Sequence, residues 1–484
     1  MTCTADPVNH GGVEHATPVL ACPSMSEAPP PAVRPLPDAA PPSTEALWLS
    51  ALVLAAFAVR AGLLLLEPNC GLAGDESSWV ALGTQELGRP NRGLSPFRVR
   101  LLFYPPLYPY FIAILQRILG SLTAVAWVQA AVGAFLVPAV GRAGRLAFSS
   151  RTALVAAALV AFYPDFVWFS VHFWSETLFV VLLWWALERV LRADVSASAG
   201  AAALGGILWG LATLTRELTL YLAPVAFLWL LRGDVRPFAF RASPAFRRAG
   251  AFALGLVLTV LPWTIRNAVV YHAFIPVSTM GASNLWQGNV PLTHLAVHAA
   301  LGAESDPVER DRLARRLAWE AIRAQQPGWI VEKLGEQMPE FWKAGSEILD
   351  HVLSRLPCRA WSAGQRMTLE VAVVGPYLVV LALGLVGVAR SRPGPGAILL
   401  LVVLAVWNLA HVVAYATTRF RLPVLPVVFL FASVAVAGDR PLLVPLRGSR
   451  LVLLLALAAL AAVVLWPGLD ELTLWRALLG LPPL

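Results

Sequence analysis

Long apolar runs recur along almost the whole chain and limit the folds that it can adopt. A helix needs roughly 20 apolar residues to cross the hydrocarbon core of a bilayer. Runs of about this length lie near residues 46–66, 121–141, 152–169, 173–191, 199–214, 218–232, 249–264, 370–389, 396–416, 422–438 and 451–466. The sequence therefore predicts an all-α polytopic membrane protein with about eleven transmembrane helices.

The composition agrees with this interpretation. Hydrophobic residues make up 58% of the 484 residues and charged residues only 14%, whereas a soluble domain carries about 25% charged residues. The net charge of +8 could suggest a nucleic-acid partner, but no Lys/Arg-rich run with interleaved aromatic residues occurs. We therefore expect membrane lipid to surround most of the chain, and we expect no nucleic-acid partner.

Basic residues are concentrated in alternate loops between the apolar runs. Segments such as "GRAGRLAFSSR", "ERVLRA" and "RSRPGP" are rich in arginine, whereas the intervening short connections hold few cations. Because cytoplasmic loops carry the excess of Lys and Arg, this alternation places the N-terminus in the cytoplasm. It places residues 67–120 and 265–369 on the outer face.

The predicted topology also defines the domain organisation. Residues 1–45 are rich in proline and predict a disordered cytoplasmic tail. The tail separates the first apolar run from the N-terminus, so we expect that run to be a retained anchor rather than a signal peptide. Residues 46–264 form an N-terminal transmembrane module that includes the first outer loop at 67–120. Residues 265–369 form an outer loop, and residues 370–484 form the C-terminal transmembrane helices.

Both outer segments are predicted to contain short helices. In the first outer loop, "YPPLYPYFIAILQRILG" is too short for a span and predicts an interfacial helix. In the second, "DPVERDRLARRLAWEAIRAQ" and "GWIVEKLGEQMPEFWKA" predict two amphipathic helices. Asp306 and Pro307 are a suitable cap and first residue for the earlier one. We expect these helices to form a small helical cap.

Charged and amide side chains that could take part in a reaction lie at the outer ends of five separate apolar segments. Ionisable groups near membrane depth are costly and usually functional. The residues at these ends are Asp75, Glu76, Glu176, Arg216, Glu217, Arg266, Asn267, Arg419 and Arg421. The predicted topology therefore brings carboxylates and guanidinium groups to one depth on one face.

This combination of groups indicates a class of reaction. A carboxylate can accept a proton from an alcohol as a general base, and arginines bind phosphate in a bidentate manner. Together they suit a phosphate-linked lipid whose head group is transferred to a hydroxyl. No G-x-G-x-x-G after a strand and no P-loop occurs, so the sequence does not favour a soluble nucleotide-binding domain.

Several short motifs occur in an order that resembles a known family. They are "GDESSWVALGTQEL", "YPPLYPYFIAIL", "GLATLTREL", "LPWTIRN", "SNLWQGN" and "RFRLPVLP". This ordered set resembles bacterial membrane glycosyltransferases of the GT-C class, in the protein O-mannosyltransferase and aminoarabinose-transferase group. The resemblance runs from about residue 46 to about residue 440.

The resemblance implies a reaction on the outer face of the bacterial plasma membrane. Family members transfer a sugar from a polyprenyl-phosphate donor to a hydroxyl of a lipid, glycan or protein acceptor. Asp75 matches the family's acidic base, Glu76 lies beside it, and Glu176 matches a second acidic residue. Attack opposite the leaving phosphate would invert the configuration of the sugar.

The remaining expected contacts follow from the same motifs. Arg419 and Arg421, with Arg216 and Arg266, are the candidate contacts to the donor phosphate. The candidate substrate contacts are Tyr104, Glu217, Asn267 and Asn289. Tyr104 replaces the lysine that the family often has before the proline of the interfacial helix, and Arg98 or Arg100 could substitute for that lysine.

Other interpretations of these residues stay open at this point. Asp75, Glu76 and Glu176 could simply stabilise helix N-termini, and Arg216 could pair with Glu217. The whole chain could instead be a transporter or flippase of a lipid-linked saccharide, or a noncatalytic envelope assembly protein.

The sequence predicts no certain cofactor or metal site, although a divalent cation is possible. His294 and His298 have the i, i+4 spacing that can hold a metal on a helix, but no third ligand lies nearby. Cys70 and Cys358 are the two cysteines predicted to lie outside, and a disulfide between them is a hypothesis.

Overall fold

The computed structural model describes residues 43–66, 71–87, 101–232, 243–355, 361–437, 447–470 and 472–478. These residues form helices and loops and contain no strand, which confirms the all-α prediction. The predicted tail falls almost entirely outside the described residues, as do Cys70, Cys358, Arg98 and Arg100, so those predictions stay predictions.

Among the described residues, eleven helices begin before the second predicted outer segment, and the last of them runs into that segment. They are α1 (Ser43–Leu66), α2 (Asp75–Ala81), α3 (Leu107–Leu119), α4 (Leu122–Ala134), α5 (Leu136–Ala147), α6 (Ser150–Phe162), α7 (Pro164–Val171), α8 (Glu176–Ser196), α9 (Ala199–Thr215), α10 (Thr219–Leu231) and α11 (Pro244–Tyr271). A π-helical turn, Leu82–Leu87, continues α2. The interfacial helix predicted from "YPPLYPYFIAILQRILG" is α3.

Ten helices follow among the described residues. They are α12 (Met280–Gln287), α13 (His294–Gly302), α14 (Pro307–Ala324), α15 (Trp329–Trp342), α16 (Glu347–Asp350), α17 (Ala363–Arg390), α18 (Pro395–Val413), α19 (Leu425–Ala437), α20 (Ser449–Asp470) and α21 (Thr473–Leu478). A π-helical turn, His351–Arg355, continues α16, and a 3-10 turn, Thr418–Arg421, joins α18 to α19.

Each predicted apolar run is helical, but not every helix has the length of a full span. Among the described residues, six segments are long and apolar enough to cross a membrane. A bent pair, α6 with α7, makes a seventh if it counts as one broken span. Helices α9, α10 and α19 are apolar but shorter. The structure therefore confirms a polytopic helical protein, and the count of about eleven stays a prediction.

Close approach of helix backbones brings the transmembrane helices together. Helices α9 and α11 cross where Gly206 lies against the backbone of Phe252 and Gly255 lies against the backbone of Ala203. A Cβ on Gly206 would lie 2.0 Å from the Phe252 carbonyl oxygen, so only glycine fits there. Small residues at such crossings are typical of membrane helix packing.

A buried arginine fixes the break between α6 and α7, and sequence analysis missed it. Arg60 of α1 is fully buried. Its guanidinium donates to the carbonyls of Ala56 (2.9 Å), Ala161 (3.0 Å) and Phe166 (3.2 Å) and to Ser170 Oγ (3.0 Å). Ala161 lies in the last turn of α6, where the helix break leaves carbonyls without intrahelical partners, and Arg60 supplies a hydrogen bond to its carbonyl.

Helix α4 also makes hydrogen bonds to the end of α7 and to the segment between α7 and α8. Gln129 of α4 donates to the carbonyls of Phe169, Ser170 and His172, and it accepts a hydrogen bond from Tyr108 Oη at 2.7 Å. This segment leads directly into Glu176, the first residue of α8. Its position is therefore set by α1 and α4 together.

The two helices predicted for the second outer segment are present. Helix α14 begins as expected, because Asp306 Oδ1 accepts from Val308 N at 2.7 Å and from Glu309 N at 3.2 Å. Ala314 and Ala318 of α14 pack with Trp286 in a small apolar cluster. Helix α15 matches the second amphipathic segment.

Candidate active site

The two adjacent carboxylates of the first outer loop point in different directions. Asp75 and Glu76 open α2, after Gly74 at a positive φ of 59° that favours glycine. Successive side chains on a helix are about 100° apart. The side chain of Asp75 is 43% exposed, whereas that of Glu76 is 3% exposed. Asp75 therefore faces open space and Glu76 faces the interior.

Asp75 meets an arginine from the far end of the chain. Arg419 lies in the 3-10 turn between α18 and α19. Its Nη1 donates to Asp75 Oδ2 at 2.6 Å, although 344 positions separate the two residues. The predicted convergence of Asp75 with Arg419 is therefore present in the structure.

A second carboxylate and a second arginine extend this pair into a cluster. Glu176 is buried at the start of α8, and its Oε1 accepts from Nη2 of Arg216 at the end of α9. Arg419 Nε lies 3.9 Å from the same Oε1. The four side chains of Asp75, Arg419, Glu176 and Arg216, which we call the charge cluster, thus alternate in sign.

Aromatic rings surround the two arginines of the charge cluster. The Arg419 guanidinium lies 4.9 Å from the ring centre of Trp174 and 5.1 Å from that of Phe420. The Arg216 guanidinium lies 5.4 Å from Phe420 and 5.9 Å from Phe179. Such rings attract a cation electrostatically and restrict its side chain.

Several carboxylates stabilise the positive charge of Arg419. Burial lowers the pKa of Arg419, but the charges of Asp75, Glu347 and Glu176 outweigh this and hold it above its ordinary value. Glu347, at the start of α16, was not among the predicted site residues. Its signal in the sequence was weak, because nothing before folding connects α16 to Asp75.

Tyr104 lies beside the charge cluster. Its ring packs against Trp79 with centroids 4.8 Å apart. Burial raises the pKa of Tyr104, and the charge of Asp75 raises it further. The structure therefore places this predicted substrate contact next to the candidate base.

Glu76 belongs to a separate buried group. Its Oε1 accepts from Phe173 N at 2.9 Å, and its Oε2 lies 3.3 Å from His351 Nε2. His172 completes the group, and one ligand atom of each of the three side chains lies within 4.8 Å of the others. Burial raises the pKa of Glu76, but the contact with His351 and the charge of His172 lower it, and the net pKa is below its ordinary value.

Two further predicted arginines contact the backbone of neighbouring loops. Arg421 is 1% exposed and donates to the carbonyls of Lys343 (2.8 Å) and Gly345. Arg266 is also 1% exposed and donates to the Leu101 carbonyl at 3.0 Å. These contacts position loops, and a role for either arginine in binding a phosphate stays a prediction.

The two predicted asparagines also hold loops in place. Asn267 Nδ2 donates to the carbonyls of Ile275 (2.9 Å) and Val277 (3.1 Å). Asn289 Nδ2 donates to the Val413 carbonyl at 3.1 Å, and its Oδ1 accepts from Trp329 Nε1 at 2.7 Å. Their assignment to a substrate likewise stays a prediction.

Glu217 lies apart from its neighbour Arg216. The Arg216 side chain pairs with Glu176, whereas Glu217 Oε2 accepts a hydrogen bond from Ser278 Oγ. The alternative in which Arg216 and Glu217 pair with each other is therefore not what the structure shows. Burial raises the pKa of Glu217 to about 7.

The predicted histidine pair lies on α13, and its role in metal binding stays a prediction. The side chain of His294 lies outside the described residues. His298 packs edge-on against Phe103 with ring centroids 5.7 Å apart.

Residues 104–263 match the family described as dolichyl-phosphate-mannose-protein mannosyltransferase. This match confirms, for that part of the chain, the resemblance drawn from the ordered motifs. No curated protein matches the sequence as a relative.

Solved structures similar to this chain include two of an oligosaccharyltransferase from Archaeoglobus fulgidus. The apo form is 15% identical, with a TM-score of 0.47, and the match covers 88% of this chain and 55% of that one. The enzyme AglB in complex with an inhibitory peptide and a dolichol-phosphate is 17% identical, with a TM-score of 0.46, and the match covers 91% and 57%. This chain thus spans somewhat more than half the length of those proteins.

Proposed function

We propose that this chain, whose residues 104–263 match a family of mannosyltransferases, is a membrane glycosyltransferase that uses a polyprenyl-phosphate sugar. The observation that carries the proposal is the charge cluster, in which four separate segments bring two carboxylates and two guanidinium groups together. An exposed carboxylate beside a partly buried arginine supplies a proton acceptor and a phosphate ligand at one place.

Asp75 is the general base in this proposal. Its carboxylate accepts the proton of the acceptor hydroxyl while the hydroxyl oxygen attacks the anomeric carbon of the sugar. The bond between that carbon and the phosphate oxygen breaks, and polyprenyl phosphate leaves with the bonding electrons. The new bond forms opposite the leaving group, so the configuration inverts. A positioned base contributes a factor of about 10²–10⁴ to the rate.

Arg419 links the donor to the base. A phosphate that approached the charge cluster would compete with Asp75 for the Arg419 guanidinium, because arginine binds both anions with the same donors. When Arg419 turns to the phosphate, the Oδ2 atom that it contacts at 2.6 Å is released to the acceptor. Donor binding therefore prepares the base, and Arg419 and Arg216 stabilise the charge that grows on the departing phosphate.

We assign the other predicted residues according to their contacts. Tyr104 borders the site, and Glu176 holds Arg216 and Arg419 in position. Arg421, Arg266, Asn267 and Asn289 act through the loops that their side chains hold. The transfer step uses no nucleotide and no retained cofactor.

The proposed setting follows the alternation of basic loops. We place the protein in the bacterial plasma membrane with its N-terminus in the cytoplasm and the charge cluster on the outer face. Residues 46–264 and 370–484 are its transmembrane parts, and residues 265–369 form an outer cap. The acceptor is a hydroxyl of a lipid, a glycan or a protein.

A reconstituted transfer assay tests the proposal against the transporter alternative. Purified protein in proteoliposomes is given a panel of polyprenyl-phosphate sugars, including mannose, glucose and aminoarabinose, together with membrane lipids and envelope glycans. We expect release of polyprenyl phosphate and a glycosylated product, both identified by mass spectrometry. Movement of an intact donor between leaflets without release of polyprenyl phosphate would establish the transporter instead.

A further inference from the structure

Three buried side chains lie together beside the charge cluster but are not part of it. Glu76 comes from α2, His172 from the segment between α7 and α8, and His351 from the turn that follows α16. They are 3%, 8% and 0% exposed, and one ligand atom of each lies within 4.8 Å of the others. Two imidazoles and a carboxylate from separate segments form a known type of metal-binding set.

The ring of His172 is oriented in the way that metal ligands require. Its Nδ1 lies 3.0 Å from the Trp168 carbonyl oxygen. A carbonyl oxygen can only accept, so the proton is on Nδ1 and the lone pair is on Nε2. Histidines that bind metals almost always donate their other ring N–H to such a carbonyl or carboxylate.

His351 supplies an independent observation. It is fully buried, and neither of its ring nitrogens has a hydrogen-bond partner among the described residues. The nearest polar atom printed for its Nε2 is Glu76 Oε2 at 3.3 Å, and its Nδ1 has no partner among the described residues. Buried polar groups are normally satisfied. A ring nitrogen that faces a carboxylate and a second imidazole lacks the partner that a cation would provide.

Aromatic rings pack against the two histidines of this group. The Trp168 ring stacks on His172 with centroids 4.0 Å apart and meets His351 edge-on at 5.0 Å. Trp174 lies 6.0 Å from His351 on another side. An apolar shell of this kind limits solvent access to a metal site.

We propose that Glu76, His172 and His351 bind a divalent transition-metal ion, and that zinc is the ion this ligand set favours. Two imidazoles and one carboxylate are a ligand set found for zinc, with a fourth position open to water. Magnesium and calcium prefer oxygen ligands. The inference does not depend on the proposed transferase activity, because it concerns the binding of an ion.

The ion has a positioning role. It joins α2, the α7–α8 segment and the turn after α16 at one point. Asp75 is the residue before Glu76. Trp174, whose ring lies against the Arg419 guanidinium, is two residues after His172. The metal therefore holds both sides of the Asp75–Arg419 pair without touching either residue.

Metal analysis of the full chain tests the proposal. Purified protein is loaded with zinc, dialysed against a weak chelator and analysed by plasma mass spectrometry. We expect about one zinc per chain for the wild type. We expect the affinity to fall at least about tenfold in Glu76→Gln, His172→Gln and His351→Gln. The matched control His298→Gln removes a histidine outside the group and should retain the metal.

A second readout on the wild-type chain covers the case in which the variants fold poorly. Cobalt(II) bound to two imidazoles and a carboxylate in four-coordinate geometry should give intense visible absorption bands, which added zinc should abolish. Wild-type protein that holds no zinc and shows no such bands would overturn the proposal, and the group would be a buried ion pair only. Loss of zinc from His298→Gln, or full retention by His351→Gln, would also overturn it.

Discussion

Glu217 should make the stability of the protein depend on pH in a direction that the structure fixes. Its carboxylate lies in the turn between α9 and α10, and burial raises its pKa from 4.5 to about 7. Below pH 4.5 the group is protonated in the folded and the unfolded chain. Between pH 4.5 and about 7 the unfolded chain loses the proton first, so the free energy of unfolding falls as the pH rises.

The size of this effect follows from the two pKa values. At about 1.4 kcal/mol per pH unit, the rise to about 7 corresponds to roughly 3 kcal/mol as an upper bound, because Glu217 is not fully buried. Glu217→Gln keeps an acceptor for Ser278 Oγ and cannot ionise. We therefore expect this variant to match the wild type near pH 5 and to be more stable at pH 8.

Thermal unfolding in detergent between pH 5 and pH 8 measures the difference. Glu320→Gln, which removes an exposed carboxylate of α14, is the matched control and should follow the wild type at both pH values. If the difference in Tm between Glu217→Gln and the wild type were the same at pH 5 and pH 8, the account of Glu217 would be refuted.

Three arginines give further predictions. Arg419→Gln removes the contact to Asp75 and to the proposed phosphate, so the transfer rate should fall by roughly 100-fold in steady-state kinetics; an unchanged rate would exclude Arg419 from the site. Arg216→Ala leaves the buried Glu176 without its nearest partner and should lower the free energy of unfolding by roughly 3 kcal/mol. Adding Glu176→Gln should recover much of that loss, and no recovery would contradict the pairing. Arg60→Met removes hydrogen bonds from a charged donor and should cost roughly 3 kcal/mol or more, whereas Arg60→Lys should cost less; equal unfolding temperatures for wild type and Arg60→Met would show that the helix break does not need Arg60.

The helices were predictable because membrane-length apolar runs have a strong signal. Each predicted run is helical, and the start of α14 at Pro307 was predicted from its capping residue. The lengths were less predictable. The run predicted near 152–169 forms two helices, α6 and α7, which meet at an angle of 49° where Pro164 begins α7.

The contact between Asp75 and Arg419 was predictable from topology, because both residues lie at the outer ends of predicted transmembrane segments and therefore at the same depth. The sequence did not predict which member of the Asp75/Glu76 pair or of the Arg419/Arg421 pair faces the site. Arg419 and Arg421 lie in a 3-10 turn with about three residues per turn, so positions two apart point to different sides. Arg419 accordingly contacts Asp75, while Arg421 contacts the carbonyls of a loop.

Contacts between single residues that are far apart in the chain could not be predicted from the sequence. His172 and His351 have no spacing pattern that connects them, and only the fold brings both to Glu76. Arg60 did carry a signal, since a lone arginine within an apolar run must find polar partners. Its partners on α6 and α7 were hidden, because only the fold brings the Ala161 carbonyl, the Phe166 carbonyl and the Ser170 hydroxyl to it.

The rate of sugar transfer by Asp75→Asn in a single turnover tests the central claim most directly. The substitution keeps the shape of the side chain and removes its ability to accept a proton. We predict that the rate falls by roughly 10²–10⁴-fold, while the donor still binds and the control Glu320→Gln transfers sugar at the wild-type rate. Transfer by Asp75→Asn at the wild-type rate would contradict the assignment of Asp75 as the base and with it the proposed reaction at the charge cluster.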